Sequence, residues 1–97
     1  MPSYVTLINW TDQGVKNFKD TVDRYEAAQE AAGTSGARFK DIYWTIGPYD
    51  IVGILEAPDD ETATAALLSV AGQGNVRTTT LRAFSASEMR SVIEKAT

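Results

Sequence analysis

The sequence predicts an α+β domain built on one antiparallel sheet, and three observations carry that prediction. Four β-branched or aromatic runs alternate with segments of helical apolar spacing in the order β-α-β-β-α-β, followed by one more helix. The first and third runs are apolar on both residue parities, as strands buried on both faces are. The other two runs carry Arg38, Lys40, Asp41, Arg77 and Arg82, as edge strands do. This is the order of a ferredoxin-like sandwich with its first and third strands in the middle of a four-stranded sheet. Residues 1–97 read as a single domain, since two domains in 97 residues would each be too small to hold a core.

Residues 4–10, Tyr-Val-Thr-Leu-Ile-Asn-Trp, form the first strand. Thr11 or Asp12 can cap the helix that follows by accepting orphan amide hydrogens of its first turn. Val15, Phe18, Val22, Tyr25, Ala28 and Ala32 then recur every three or four residues, the mark of one apolar helical face running to a stop at Gly33. The second strand spans residues 38–45, and its broken alternation predicts a bulge near Asp41. Ile46-Gly47-Pro48-Tyr49-Asp50 is a turn, and residues 51–56 form the third strand. Asp59 or Asp60 caps a second helix whose buried face is made of Ala63, Ala66, Leu67 and Val70. Gly72 and Gly74 end it, and residues 76–84 supply the fourth strand. Ser85 and Glu88 have capping-box spacing ahead of a short last helix bearing Met89, Val92 and Ile93.

Composition excludes several chemistries. There is no cysteine and no histidine, so thiolate or imidazole ligation, a cysteine nucleophile and a histidine general base are all ruled out. Nine basic residues against 13 acidic ones leave a net charge of −4, which gives duplex DNA no positive field to bind. Acidic residues cluster at helix starts and on a solvated helix side, not with metal-ligand spacing, and neither a Walker loop nor a dinucleotide fingerprint occurs. Neither a signal peptide nor a membrane span is legible, so the expectation is a cytoplasmic protein with no cofactor, no nucleic-acid partner and no membrane partner.

Two apolar faces on the central strands have a consequence for assembly. Both right-handed crossovers place the main helices on one side of the sheet, and the other side is left apolar. If a partner sheet removes ~600 Å² of apolar surface per chain, the gain is about 15 kcal/mol before entropy costs. The expectation is a two-fold homodimer packed sheet against sheet, with higher multiples of the dimer left open. The competing arrangement folds the last helix back over the open face, but three apolar residues are few to cover four strands.

Candidate site residues gather at one end of the sheet. Gly47 can supply a positive φ, Pro48 pre-sets the turn, Tyr49 presents a hydroxyl, and Asp50 places an acceptor at the strand mouth. Two readings fit: a rigid hairpin in which Asp50 receives amide hydrogens from the turn, or a ligand or oligomer contact. Asn9, Trp10 and Trp44 are expected near a pocket between sheet and helices, with Phe18 and Tyr25 on its helix side. Arg77 and Arg82 are five residues apart on one strand and so face opposite ways, and one of them can pair with an acid across a dimer.

These residues also carry a resemblance. Asn9-Trp10-Thr11-Asp12-Gln13-Gly14, then Tyr43-Trp44-Thr45-Ile46-Gly47-Pro48-Tyr49-Asp50, then Glu56-Ala57-Pro58-Asp59-Asp60-Glu61, and finally Gly74-Asn75-Val76-Arg77-Thr78 with Leu81-Arg82-Ala83-Phe84 resemble the GYD-domain family of small bacterial proteins. The family is named for the glycine, tyrosine and aspartate that match Gly47, Tyr49 and Asp50. The resemblance covers nearly the whole chain. It implies a ferredoxin-like domain of the dimeric α/β-barrel superfamily and no established activity. The turn is similar to the glycine-x-tyrosine-aspartate turn of the Lrp/AsnC small-molecule sensing domain, which lies near that domain's ligand and assembly interface. The DNA-binding helix-turn-helix that precedes the sensing domain has no counterpart here, so a direct transcription factor is not expected.

Two function classes follow. One is a homo-oligomeric module that binds an unknown small molecule or regulates a partner. The alternative is a cofactor-free monooxygenase or isomerase acting on an aromatic or quinone-like metabolite, with Trp10, Trp44 and Asn9 positioning the substrate. That chemistry needs a proton acceptor, and Asp50 or Tyr49 would have to be moved far from its ordinary pKa to serve near neutral pH.

Overall fold

The computed structural model describes residues 1–97. The elements are β1 (Ser3–Trp10), α1 (Asp12–Lys16), a 3₁₀ turn (Phe18–Asp20), α2 (Thr21–Gly33), β2 (Arg38–Trp44), β3 (Ile51–Glu56), α3 (Asp60–Ala71), β4 (Val76–Ala83) and α4 (Ala86–Ala96). The sheet order is β2-β3-β1-β4, antiparallel throughout, so β1 and β3 are central as their double-sided apolar pattern requires. The bulge falls between Phe39 and Asp41 and turns Ile42 onto the helix-covered side with Phe39.

Residues Tyr4, Thr6 and Ile8 of β1 and Ile51 and Leu55 of β3 are buried beneath α2 and α3. Thr6 is the polar member of this core, and its hydroxyl donates to the Gly53 carbonyl at 3.1 Å. A Cβ at Gly53 would stand 2.9 Å from Thr6 Oγ1 and 3.1 Å from the Phe39 ring, so only glycine lets these side chains meet across the sheet. The opposite face holds Val5, Leu7, Val52 and Ile54, each half-buried, with Tyr43 and Leu81 62% and 49% exposed.

The first helical segment is not the continuous helix its periodicity predicts. It stops at Asn17, makes a 3₁₀ turn and restarts at Thr21. The cause lies in how α1 is held. Thr11 caps α1 by accepting from the Gly14 amide, and it is itself tied to the loop before β4: its amide donates to the Asn75 carbonyl at 3.1 Å and its hydroxyl to the Gly74 carbonyl at 2.6 Å. Gly14 lies so close that a Cβ there would fall 1.9 Å from the Asn75 carbonyl oxygen. Docking α1 this tightly sets it off the α2 axis. Tyr25, Ala28 and Ala32 reach the core side, while Val15, Phe18 and Val22 remain exposed.

Asp59 caps α3 by accepting from the Thr62 amide at 2.7 Å, and this contact holds its carboxyl below the usual range. Ser85 and Glu88 form the expected capping box on α4. The helix does not fold back over the open sheet face. It buries none of its residues, and Met89, Val92 and Ile93 are exposed. A chain of this length packed as a sphere-like domain has a radius of gyration of about 12–13 Å; here it is 14.4 Å, with a 50 Å long axis. No helix is long and apolar enough to cross a membrane.

Candidate functional site

The end of β1 and the turn after β2 are bolted together. The Asp50 amide donates to the Ile8 carbonyl at 2.9 Å, and its Oδ2 accepts from the Trp10 amide at 2.9 Å. Asn9 Nδ2 donates to the Pro48 carbonyl at 2.8 Å. Within the hairpin, the Thr45 amide donates to the Asp50 carbonyl at 2.8 Å and its hydroxyl to the Tyr49 carbonyl at 2.6 Å. Gly47 sits at φ +134°, a conformation that side chains resist. The side-chain acceptor role of Asp50 is therefore real but differently placed: its amide comes from β1, not from the turn. One carboxylate extends the β1 ladder past the point where β3 can pair with it.

The sheet divides the other candidates. Asn9 and Arg77 are register partners on the open face, beside Leu7 and its partner Thr79. Trp10 and Trp44 lie on the helix-covered side. Trp10 packs against the buried Ile8, Ile51 and Val76, and its indole N–H is buried without an acceptor. Arg82 faces away from Arg77 and stacks on the Tyr4 and Phe84 rings at 5.7 and 4.7 Å. Tyr4 also donates its hydroxyl to Asp60, and burial together with that carboxylate pushes its pKa up to about 12.

A cleft with about 60 Å³ of solvent-accessible space opens between the sheet and helices α2 and α3. Ile8, Ile42, Ile51 and Val76 form its floor, with Tyr25, Phe39 and Trp44 along one wall. Trp44 and, on the helix side, Tyr25 line it as the sequence leads one to expect. Asn9 points to the opposite side of the sheet, and Phe18 lies outside. The polar lining is Thr21, Arg24, Gln73 and Asn75, none of which the sequence pattern singled out. Arg24 lies next to Tyr25 on the helical repeat and was legible only as one more charge on a helix. Its role comes from the break at Asn17, because its guanidinium donates to the Asn17 carbonyl at 2.7 Å and reaches the Gly14 carbonyl at 3.4 Å.

Residues 4–93 match the family model of the GYD domain, a span that includes the hairpin just described. The chain belongs to the GYD-domain family. This GYD domain is 34% identical over 90 residues to a Thermus thermophilus protein named glutamine synthetase and cystathionine beta-lyase binding protein, covering 92% of this chain and 95% of that one. A crystal structure of a protein from Thermus thermophilus superposes with a TM-score of 0.57 at 26% identity, covering 89% of this chain and 96% of that one. The leucine response regulatory protein of Mycobacterium tuberculosis superposes with a TM-score of 0.61 over 88% of this chain and 51% of the regulator. At 16% identity that likeness is one of fold: the same four-stranded, ferredoxin-like α+β sandwich.

Proposed function

We propose that this GYD domain is a homodimeric regulatory binding module of the cytoplasm, pairing through its open sheet face and acting by docking on a metabolic enzyme. The observation that carries the reading is the row Val5, Leu7, Val52 and Ile54, apolar on a face that no helix covers. A second sheet laid on it removes from water side chains that the monomer leaves half-exposed, and sheets pack in this way about 10 Å apart. The name of the 34% identical relative, a binding protein for glutamine synthetase and cystathionine beta-lyase, supports a docking role over a catalytic one.

The enzyme alternative has weaker geometry. Its proton acceptor would be Asp50 or Tyr49, yet neither lines the cleft, and Asp50 already accepts from the Trp10 amide. The test is sedimentation at low micromolar concentration, followed by co-sedimentation with glutamine synthetase and cystathionine beta-lyase of the source organism. A dimer that co-sediments with either enzyme is expected. Val52→Asp, placed mid-strand on the open face, should yield a folded monomer. A wild-type chain that stays monomeric sinks the reading.

A further inference from the structure

The cleft between the sheet and helices α2 and α3 has an unusual charge balance. Nine of its 13 lining residues are hydrophobic, and the polar remainder contains one cation, Arg24, and no carboxylate. The chain as a whole is acidic, so this is a local property. Arg24 is half-buried and has no acidic partner; the protein's ion pair is Arg38–Glu56, at the end of the β2–β3 pair opposite Trp44. Guanidinium groups carry five N–H donors in a rigid fork. Two nitrogens of Arg24 reach the Asn17 and Gly14 carbonyls, which hold the side chain in place and leave further donors free.

We propose that this cleft binds a small apolar monocarboxylate: a single ring or branched chain with one carboxylate and no ammonium group. The apolar body would lie on Ile8, Ile42, Ile51 and Val76. Tyr25 meets Phe39 and Trp44 edge-on at 6.1 and 6.0 Å, and these rings wall one side. The carboxylate would take the free donors of Arg24. That arrangement is pre-organised, because the guanidinium is already fixed by backbone carbonyls and loses little freedom on binding. A free amino acid fits poorly. Its ammonium would enter an apolar space beside a like charge, with no carboxylate to receive it. This assignment rests on the binding-module reading but not on the dimer.

The protein's two tryptophans make the test specific, since each gives one indole N–H signal. The ¹⁵N-labelled full chain is titrated with phenylacetate, isovalerate, phenylalanine and phenylacetamide, with Trp44→Phe assigning the two signals. Phenylacetate or isovalerate should move the Trp44 signal saturably. Phenylacetamide should bind ~10-fold more weakly, the loss expected when a charge-assisted hydrogen bond goes unmade, and phenylalanine should also bind ~10-fold more weakly because its ammonium enters the apolar cleft. Arg24→Gln should weaken phenylacetate ~10-fold and leave phenylacetamide unchanged. Should that variant fail to fold, Arg24→Lys keeps the charge but not the fork, and a loss of carboxylate affinity is again expected. Ala28→Leu, which narrows the cleft without touching charge, should abolish binding. The proposal is overturned if neither carboxylate gives a saturable shift by ~10 mM, or if phenylalanine binds as tightly as phenylacetate. Sedimentation of the same samples separates the two readings: a dimer that ignores every carboxylate overturns this assignment alone, and a monomer that binds phenylacetate overturns the dimer alone.

Discussion

Leu55 and Ile54 are neighbours on β3, equally apolar, and their fates differ completely. Leu55 is 0% exposed beneath the helices, while Ile54 is half-buried on a face nothing covers. The same contrast runs along β1, where Tyr4, Thr6 and Ile8 are buried and Val5 and Leu7 are not. An antiparallel sheet with one wet face alternates apolar and polar residues. The central strands of this one do not alternate, and under the proposed pairing their second face meets a partner and not water. On that proposal the two faces are stabilised in different ways, one within the chain and one between chains, and substitutions should tell them apart.

The largest effect belongs to the covered face. Leu55→Ala should cost ~2–5 kcal/mol, since the cavity it opens is closed on all sides. In a chain of this size each kcal/mol lowers the melting temperature by about 4–8 °C. Urea unfolding at two protein concentrations checks the comparison: the loss should be the same at both. A loss that changes with concentration would show that this layer also depends on assembly.

Tyr4 probes the covered face by pH. Its phenol is 4% exposed and its pKa is raised to about 12 by burial first and the Asp60 hydrogen bond second, with Arg82 opposing. A raised folded-state pKa means that the native chain holds the proton more tightly than the unfolded one. The contribution is complete below pH ~10 and is lost as pH rises through ~12, in all about 2–3 kcal/mol. Tyr4→Phe should cost ~1 kcal/mol at neutral pH through the lost hydrogen bond. Its stability should then fall less than the wild type's between pH 8 and 11, measured by denaturant titration at each pH. Parallel pH curves for the two proteins would contradict the assignment.

Much of this contrast was legible in the sequence. The double-sided apolar pattern of residues 4–10 and 51–56 fixed the strand order, and the broken alternation around Asp41 located the bulge. The break at Asn17 was not legible, because Val15, Phe18 and Val22 keep helical spacing through it. What breaks the helix is a long-range contact, the approach of Gly14 to the Asn75 carbonyl, and local periodicity carries no trace of it. The cleft was only partly legible for the same reason. Trp44 follows from strand parity, but Arg24 acquires its orientation from carbonyls that the break exposes. The partner of Asp50 was hidden as well, since a turn aspartate usually bonds its own turn and this one reaches the Trp10 amide across the sheet.

That bond lies where the two faces end. Asp50→Ala should cost about 1 kcal/mol by leaving the half-buried Trp10 amide without its acceptor, and Asp50→Asn should recover most of it by keeping a side-chain oxygen. Thermal unfolding measures the loss. The Trp10 amide hydrogen should also exchange faster with solvent in the alanine variant only. Equal melting temperatures for alanine and wild type would make the contact a bystander.

The smallest effect on the isolated chain should come from Ile54→Ala, and it is the most informative about the open face. A half-buried isoleucine gives up only part of the roughly 1.5–3 kcal/mol of a full burial, so the dilute monomer should lose ~1 kcal/mol or less. If a second sheet covers Ile54, the remainder is realised only in the dimer. The variant's deficit should then grow with protein concentration, the reverse of the flat response expected for Leu55→Ala one residue away. Sedimentation should show a weaker dimer for Ile54→Ala and an unchanged one for any Leu55→Ala protein that remains folded. If both deficits are flat, nothing pairs with the open face under those conditions, and its apolar row must be covered by a different protein.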